Sequence, residues 1–442
     1  MSRDDVTPRS DRLARWLAAF WRALPWLVPL AIILAVLAAS LFPLPAVRDA
    51  VSFEVIDEAV FRKPAAYILL SPLSELLDVV TLLSARQHVA LLLTLAVTYV
   101  LWWWWRGGFV PYTVPATRKT VRVVARIGLA LLVPLTLYLA AILLPRPMAS
   151  LDPGPDLLAV DFHSHTSFSH DGRPDWTPED NRNWHRDAGY GAAFVTDHRT
   201  FDGARAAWPN NPTYAGGGTS LLPAVEVVWH GEHVNVLDAD RMYRGILTPT
   251  LADVDEEALT LASAVPGNEP VLIHTLPGNL DSVRAARGTA TAGVRAIEIV
   301  DGSPRGLGQT RRERARIIAI ADSLNLALVS GSDHHGWGHT AAGWTLMYLK
   351  NWRAVRPVAV TSAIAFNIRR GGRGATRVAE RYVANTDRWE RLPFTVPVVL
   401  WQLLRTLTSD ERVVWIAWTI AIALLAEGLR RRRARVAGVI DA

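Results

Sequence analysis

The stretch Val160–Gly172, which reads V-D-F-H-S-H-T-S-F-S-H-D-G, joins a short apolar run to a group of histidines. The apolar run predicts a buried strand, and His163 and His165 stand two residues apart at its end. Because residues i and i+2 of an extended strand point to the same side, these two imidazoles can reach one metal ion. An isolated H-x-H is more typical of a strand end with surface histidines. Eleven of the twelve histidines, however, lie between His163 and His339, and this concentration favours a metal site.

The composition restricts both the metal ligands and the class of protein. The 442 residues include no cysteine, so there is no disulfide framework and any metal must be bound by nitrogen and oxygen atoms. Half of the chain is hydrophobic, and the apolar residues are gathered in blocks. The net charge is +6, but much of the basic charge flanks these blocks, as in the arginine tail Arg430–Arg435. That pattern is typical of membrane flanks rather than of a nucleic-acid-binding face, and we expect no nucleic-acid partner.

Four apolar blocks predict transmembrane helices at about residues 24–44, 89–105, 127–144 and 411–429. The first block is long enough to cross a bilayer. Its basic leader would also suit a cleavable signal, but its length favours an uncleaved anchor. The last block is short, and burial in a protein core remains the alternative for it. Residues 45–87 predict a loop with interfacial helices, and Phe394–Leu404 predicts a further interfacial segment.

The distribution of basic residues predicts the topology. The N-terminus, the loop Arg106–Arg126 and the arginine tail are all basic, so the positive-inside rule puts them in the cytoplasm. Four spans satisfy this rule with both termini inside. We therefore predict an integral protein of the cell (inner) membrane, with the lipid bilayer as a partner. The segment between the third and fourth spans would then lie on the extracytoplasmic side.

That segment has the pattern of a separate α/β domain at 150–385. It lies between an N-terminal membrane region at 1–148 and a C-terminal region at 386–442, which holds a linker, the last helix and the basic tail. Strand-like runs alternate with helix-like runs in the domain, which predicts a parallel, barrel-like sheet with reactive groups at the C-terminal ends of its strands. The predicted strands lie near 157–162, 192–196, 221–228, 233–237, 270–274, 296–300 and 327–331, and the predicted helices are Pro178–Ala188, Asp253–Val265, Ser282–Ala290 and Gln309–Leu324.

Candidate metal ligands lie on or directly after most of these strands. His233 is the exception, because it opens the fourth strand. Glu298 and Asp301 end the sixth strand and receive no role. The other candidates, in strand order, are His163 with His165, Asp197 with His198 in V-T-D-H, Glu226, His274, and Asp333 with His335 in S-G-S-D-H-H-G.

The motifs of this segment resemble those of the PHP family, the polymerase and histidinol phosphatase domains. In chain order they are H-x-H, a serine shortly before Asp-Gly, T-D-H, a strand glutamate, a strand-end histidine and S-D-x-H. The resemblance covers about Asp161–Gly336, somewhat under half of the chain. It implies a distorted (β/α)7 barrel, the activity of a metal-dependent phosphoesterase, and two or three divalent metal ions, commonly zinc, manganese or iron. The ligands that it implies are His163, His165, Asp171, His198, Glu226, His233, His274, Asp333 and His335.

One position departs from the commonest family pattern. The aspartate that usually stands five residues after the second histidine is replaced here by His170, and Asp171 follows one residue later. Some family members carry the ligand at the later position, so we prefer Asp171. The remaining histidines are expected to be neighbours of the site (His334 and His339) or structural or surface residues (His185 and His230).

The ligand set determines the expected chemistry. Imidazoles and carboxylates suit zinc, manganese or iron, and metals held close together would deprotonate a bridging water to a hydroxide that attacks phosphorus. The expected catalytic residues are Glu226, which can bridge two metals, Asp333, and Arg199, which could bind the phosphate. Arg305 is a second candidate for the phosphate, and Asp161 and Asp197 could orient ligating histidines.

The sequence therefore predicts a membrane-anchored, metal-dependent phosphoesterase that hydrolyses a phosphomonoester or phosphodiester. Two alternatives stay open: a metal hydrolase of the amidohydrolase type, which also uses H-x-H on a barrel, and a non-catalytic domain that senses a metal or ligand. Hydrolases of the amidohydrolase type usually have a bridging lysine and a lone terminal aspartate. A non-catalytic sensor domain would be expected to lack several ligands. Nuclease action on DNA is disfavoured by the predicted location.

Overall fold

The computed structural model describes residues 26–105, 116–229, 232–237, 271–276, 294–382 and 389–436. The predicted helices Asp253–Val265 and Ser282–Ala290, together with His230, lie outside these residues. The chain divides into two compact units. The smaller comprises Met1–Leu44, Ile68–Leu76 and Leu400–Ala442, and the larger comprises Pro45–Tyr67 and Leu77–Val399.

Twelve strands occur in the described residues, and all seven predicted strands are among them as β4 to β10. Their ends differ from the prediction by no more than two residues. The strands are β1 (Val47–Asp49), β2 (Ala59–Arg62), β3 (Ser150–Pro153), β4 (Leu157–Ser164), β5 (Ala192–Val195), β6 (Ser220–Trp229), β7 (Glu232–Leu237), β8 (Val271–His274), β9 (Val294–Asp301), β10 (Ala327–Gly331), β11 (Gly343–Tyr348) and β12 (Arg377–Arg381).

Ten of these strands form one mixed sheet in the order β1-β12-β11-β4-β5-β6-β7-β8-β9-β10. The sheet is not parallel throughout, which corrects the prediction. β4, β5 and β6 are parallel, and so are β8, β9 and β10, but β7 is antiparallel to both β6 and β8. Two parallel strands need a crossover of a dozen or more residues. The connection from Trp229 to Glu232 is far shorter, so β6 and β7 can only form a hairpin.

The sheet curls, so that the segment after β10 returns to the end of β4. Ser164 and His334 form a parallel bridge. The Asp333 N–H donates to the His163 carbonyl at 2.9 Å, and the His165 N–H donates to the His334 carbonyl at 3.0 Å. The sheet is therefore a curled half-barrel, in which the first and last predicted strands meet where candidate ligands lie.

Residues 45–87, for which we expected a loop with interfacial helices, also contribute strands. β1 pairs antiparallel with β12, so residues 47–49 form one edge of the ten-stranded sheet. β2 pairs antiparallel with β3, which directly precedes β4 in the chain. Two helices, Ala65–Leu69 and Ser71–Thr81, follow β2.

Helix Pro178–Ala188 has the predicted bounds because its end signals are strong. The Thr177 side chain accepts a hydrogen bond from the Asp180 N–H, and the Asp180 side chain accepts one from the Thr177 N–H. This reciprocal capping box satisfies two backbone donors at the start of the helix. At the other end, Gly189 adopts a left-handed conformation with φ of 90°, which glycine tolerates without strain.

Helices cover both faces of the sheet. Ile317 and Ile320 of helix Arg311–Leu324 pack with Ile297 of β9 in one apolar cluster, while Ile364 of helix Pro357–Gly371 packs with Ala296 in another. Adjacent strand residues point to opposite faces, so the two clusters lie on opposite sides of β9. Each fully buried aliphatic side chain contributes roughly 1.5–3 kcal/mol. These clusters hold the ligand-bearing strand ends in fixed relative positions.

Three helices of the described residues are long and apolar enough to cross a membrane, and they correspond to the second, third and fourth predicted spans. Helix Trp26–Ser40, within the first predicted span, is shorter. Apolar side chains such as Leu93, Val97 and Leu131 are more than half exposed, which suits contact with lipid. The three long segments are Ala85–Trp103, Val124–Leu143 and Ser409–Arg433.

Candidate metal centre

The candidate ligands converge where the ends of β4, β5 and β10 meet the C-terminal half of β6 and the start of β7. The side chains form three groups, and within each group the donor atoms all lie within 4.8 Å of one another. His165 and His198 each belong to two of the groups. Together the groups contain eight of the nine ligands implied by the sequence. They are His165, Asp171, His198 and His335; His163, His165 and Asp333; and His198, Glu226 and His233.

His163 and His165 are buried at the end of β4, with ring centroids 5.0 Å apart. Asp161 accepts hydrogen bonds from the His163 N–H at 3.1 Å and from the Ser332 N–H at 2.9 Å. Its other carboxylate oxygen lies 2.7 Å from Nε2 of the buried His185. Asp161 therefore fixes the backbone of two ligand-bearing segments, and His185 supports Asp161 from within the core.

Glu226 is the central carboxylate of the site. Its Oε2 lies 3.0 Å from His163 Nε2, 3.3 Å from His165 Nε2 and 3.6 Å from His198 Nε2. Its Oε1 lies 2.5 Å from His233 Nδ1. Burial opposes ionisation of this carboxyl, but the facing imidazoles hold its pKa far below the ordinary value. Because its two oxygens face different histidines, this carboxylate could offer one oxygen to each of two metal ions.

The β6–β7 hairpin explains how His233 joins the site from the start of a strand. In an antiparallel pair, the start of one strand lies beside the C-terminal end of the other. His233 faces Val228 in this register, and Glu226 faces Asn235. About half of the His233 side chain is exposed, so this histidine lies at the mouth of the site.

Asp333 enters the site from the end of β10. Its Oδ1 lies 3.3 Å from Nε2 of both His163 and His165. Burial opposes ionisation of Asp333, but these imidazoles lower its pKa strongly. The backbone φ of Asp333 is 47°, a left-handed conformation that is uncommon outside glycine and clusters at functional sites.

The loop that follows β4 brings Asp171 into the donor set. Its Oδ2 lies 3.1 Å from His335 Nε2 and 3.2 Å from His198 Nε2. Partial burial opposes ionisation of Asp171, but the hydrogen bond from Ser169 and the facing imidazoles lower its pKa to about 2. His170 is exposed, and among the described residues it belongs to none of the donor groups.

Other residues singled out in the sequence lie outside the donor groups of the described residues. His274 is buried at the end of β8, between β7 and β9. Arg199 directly follows His198, its side chain is exposed, and its N–H donates to the Glu226 carbonyl at 2.9 Å. Arg305 is also exposed. Asp197 accepts hydrogen bonds from the N–H and hydroxyl of Thr166 at 2.6 and 2.7 Å, and so anchors the loop after β4.

Sequence reasoning gave no role to Glu298, although its position at the end of the sixth predicted strand was a usable signal. The side chain is fully buried, and its Oε1 lies 3.0 Å from His163 Nδ1. Its Oε2 accepts a hydrogen bond from the Leu276 N–H at 3.1 Å. Carboxylates in this position fix the tautomer and the ring orientation of a ligating histidine. Nearby, burial together with the charges of Asp333 and Glu298 raises the pKa of Asp301 to about 8.

The donor set fits divalent metal ions. His165 is fully buried, and its Nε2 lies 3.3 Å from both Glu226 Oε2 and Asp333 Oδ1. Neither ring nitrogen of His165 has the alignment of a hydrogen bond with a described residue. Burial opposes protonation of His165, but the two carboxylates raise its pKa to about 9, so this location strongly favours positive charge. Burial lowers the pKa of His198 to about 4, which leaves its ring neutral. Imidazole and carboxylate donors without sulfur suit zinc, manganese or iron.

No protein-family model and no curated protein matches the chain. Similar solved structures include PsfC from Pseudomonas syringae, with 18% identity over 57% of this chain and 98% of that chain, at a TM-score of 0.36. A two-domain protein from Bacteroides vulgatus containing a predicted PHP-like metal-dependent phosphoesterase has 14% identity over 50% of this chain and 64% of that chain, with a TM-score of 0.33. An amidohydrolase from Chromobacterium violaceum with bound sulfate has 20% identity over 45% of this chain and 98% of that chain, with a TM-score of 0.28. At these identities and TM-scores, the functions of the neighbours do not transfer to this chain.

Proposed function

We propose that the protein is a membrane-anchored, metal-dependent phosphoesterase with a barrel of the PHP type. The observation that carries the proposal is the convergence of eight implied ligands in three overlapping donor groups. The overlap at His165 and His198 suits metal ions that lie close together, as in two-metal phosphatases and nucleases. Two or three zinc, manganese or iron ions would be bound there.

Bound metals would supply the Lewis acidity and the activated water that hydrolysis of a phosphate ester requires. The chain's own residues would prepare the site for that chemistry. Glu226 is ionised at neutral pH and faces four imidazoles, so it holds the donor groups together. Glu298 contacts His163 Nδ1 and thereby directs Nε2 of that ring towards the site.

Exposure increases from the inner to the outer side of the donor set, which gives the substrate a direction of approach. His165 and Glu226 are buried, whereas 38% of the Asp171 side chain and 48% of the His233 side chain are exposed. Arg199, next to His198, is exposed as well. We assign it to the substrate phosphate, because a guanidinium presents paired donors that match phosphate oxygens.

Full-length protein in lipid nanodiscs provides the test of this function. We expect metal-dependent release of p-nitrophenol from p-nitrophenyl phosphate or bis(p-nitrophenyl) phosphate, and loss of turnover with a chelator that is reversed by zinc, manganese or iron. His165→Ala and Asp333→Ala should lower kcat/KM by at least a hundredfold. His170→Ala is the matched control and should stay within about twofold, whereas Asp171→Ala should lose activity.

Three results would count against the proposal. A folded protein that binds none of these metals would exclude the metal centre. Bound metal with hydrolysis of amides but not of either phosphate ester would favour the amidohydrolase-type alternative. Bound metal with no turnover of either class would favour a sensor.

The position of the domain on the extracytoplasmic side is part of the same proposal, with both termini in the cytoplasm. It is supported by helices Ala85–Trp105 and Ala116–Leu143. The start of the first and the end of the second adjoin the domain, while the basic residues Arg118 and Lys119 lie at the opposite end of the pair. Cytoplasmic loops carry the excess of lysine and arginine.

Because the chain has no cysteine, single cysteines can report this topology. We expect Asp187→Cys, on the exposed side of helix Pro178–Ala188, to react with a membrane-impermeant maleimide in spheroplasts with an intact inner membrane. Arg432→Cys in the tail should react only after lysis. The reverse labelling pattern would contradict the proposed orientation.

A further inference from the structure

A cavity of about 560 Å³ lies between the candidate metal centre and the ends of two apolar helices. All of its lining residues belong to the larger compact unit. Three members of the donor set, Asp171, Asp333 and His335, form one part of the wall. The apolar part of the wall includes Val80, Leu82, Ile142 and Trp337.

The two helices contribute their ends directly to this cavity. His88, in the first turn of helix Ala85–Trp105, and Tyr138, near the end of helix Ala116–Leu143, both line it, and His88 Nδ1 lies 2.8 Å from the Tyr138 hydroxyl. The Gly338 N–H, in the loop that follows the ligands of β10, donates to the Ile142 carbonyl at 3.0 Å. The metal-ligand loop and the helix end therefore form one continuous wall.

The lengths of these helices set the level of the cavity relative to a bilayer. Their membrane-spanning segments have 19 and 20 residues, which at about 1.5 Å per residue matches the hydrocarbon core of roughly 30 Å. The helix ends, and with them the cavity, would then lie at the level of the lipid headgroups. A phosphate at that level could reach the donor groups while the rest of its molecule remained in the membrane.

We propose that the substrate is a lipid phosphate ester drawn from the bilayer, an inference that rests on the proposed phosphoesterase function. The phosphate would bind at the donor groups, and the hydrocarbon chain would lie in the apolar part of the cavity. A phosphate group fills only a small part of a cavity of this size, and known small-molecule sites of about 300–1,000 Å³ bury most of a much larger ligand. In the reaction, a bond forms between a water oxygen and phosphorus, the bond from phosphorus to the alcohol oxygen breaks, and a proton from the water passes to the released alcohol.

Binding of phosphonates, which carry no ester bond, tests the proposal without turnover. After binding to protein-free nanodiscs is subtracted and affinities are expressed against the free aqueous ligand, metal-loaded protein in nanodiscs should bind dodecylphosphonate at least a hundredfold more tightly than ethylphosphonate, because each methylene removed from water contributes about fourfold. Dodecanol, which has the chain without the phosphonate, should bind at least tenfold more weakly than dodecylphosphonate. Equal affinities for the two phosphonates, or for dodecanol and dodecylphosphonate, would overturn the proposal.

Two matched variants separate filling of the cavity from a general effect on the helix. Ile142→Trp places a larger side chain in the cavity wall, and it should weaken dodecylphosphonate binding at least tenfold while ethylphosphonate binding changes less than twofold. Leu139→Trp lies on the same helix, is exposed and is outside the cavity wall, so it should leave both affinities unchanged. For a given ligand, partition into the lipid is the same with every variant, so it does not change the ratio of their affinities. Equal effects of the two substitutions would overturn the assignment of the cavity.

Hydrolysis distinguishes failure of this inference from failure of the proposed function. Across alkyl phosphates from ethyl to dodecyl, KM should fall with chain length while kcat changes little, because chain burial contributes equally to ground-state and transition-state binding. Turnover without dependence on chain length would retain the phosphoesterase and overturn the lipid substrate. Chain-selective phosphonate binding with no turnover of any ester would retain the amphiphile site and overturn the phosphoesterase.

Discussion

At the scale of single residues, Glu298 shows how a side chain outside the donor groups can orient a candidate metal ligand. Its Oε1 lies 3.0 Å from His163 Nδ1, and the contact is completely buried. Gly331 of β10 leaves the space that this contact needs. A Cβ atom at position 331 would lie 2.4 Å from Glu298 Oε1 and 2.5 Å from the His163 Cβ. The small residue at the strand end therefore serves the geometry of the site.

We predict that Glu298→Gln lowers metal affinity by 10–100-fold, the usual effect of removing a carboxylate that supports a ligating histidine. A glutamine amide can present a donor to Nδ1, which would leave Nε2 protonated and unable to bind metal. Competition with a chromogenic chelator measures the affinity. Asp187→Asn, half-exposed on helix Pro178–Ala188, is the control and should bind metal as the unchanged protein does. Unaltered affinity in Glu298→Gln would show that this contact does not support the site.

At the scale of elements, helix Pro178–Ala188 supports the segment that carries the candidate ligands His163 and His165. The Asn181 side chain donates to the His165 carbonyl at 2.8 Å, and His185 contacts Asp161 from the same face of the helix. Asn181 contacts the backbone directly, and His185 contacts the carboxylate of Asp161, which accepts hydrogen bonds from backbone N–H groups of the ligand-bearing segments. Neither side chain contacts the donor atoms. The helix should therefore influence stability more than metal binding.

For this helix we predict that Thr177→Ala lowers the free energy of unfolding by about 1 kcal/mol, because the capping box loses its side-chain acceptor. Thr177→Ser keeps the hydroxyl and should be close to neutral. The midpoint of thermal unfolding in nanodiscs reports the change, and metal affinity should be the same in all three proteins. A loss of metal binding in Thr177→Ala would mean that the helix determines the donor geometry directly.

At the scale of the whole larger unit, a buried ionic network connects segments that are distant in the chain. Asp78 is fully buried and accepts hydrogen bonds from Tyr67 at 2.7 Å, Arg146 at 2.9 Å, Arg381 at 2.6 Å and Thr340 at 2.9 Å. Arg146 follows the second apolar helix of this unit, Arg381 ends β12, and Thr340 lies in the loop after the ligands of β10. The network thus joins the segments next to the apolar helices to the sheet and to the loop that carries the candidate ligands Asp333 and His335.

The pH dependence of stability should reflect this network. Burial opposes ionisation of Asp78, but the charges of Arg381 and Arg146 outweigh it and lower the pKa below the ordinary value. Because the folded-state pKa is lowered, the stabilisation is complete above the unfolded pKa of about 3.9 and is lost as the pH falls through the folded value. Asp78→Asn leaves two buried arginines without their anion, and the expected loss at pH 7 is about 3–5 kcal/mol.

We therefore expect the difference in thermal midpoint between the unchanged protein and Asp78→Asn to be large at pH 7 and to shrink below pH of about 4. The carboxylates of the metal site are present in both proteins, so their titration cancels in the difference. A difference in thermal midpoint that stayed constant from pH 7 to well below the unfolded pKa of an aspartate would show that Asp78 does not act through its charge.

Local patterns predicted much of the fold and most of the donor set. The seven strands from β4 to β10 and helix Pro178–Ala188 were found because hydrophobic runs and capping residues act over a few positions. The antiparallel direction of β7 was not predicted, although the short connection from Trp229 to Glu232 already indicates a hairpin. β1 was missed because its three residues are recognisable as a strand only when they pair with β12, more than three hundred positions away.

The sequence by itself determined which donors are available, that no thiolate is among them, and that most of them lie on or directly after strands, because ligand chemistry and hydrophobic periodicity are local properties. Only the tertiary structure decided which donors share a group, that Glu226 faces four imidazoles, and that Glu298 contacts His163. It also decided that a cavity leads from Asp333 to the ends of two apolar helices. These features depend on the curl of the sheet and on packing between residues far apart in the chain, where no local pattern carries the information.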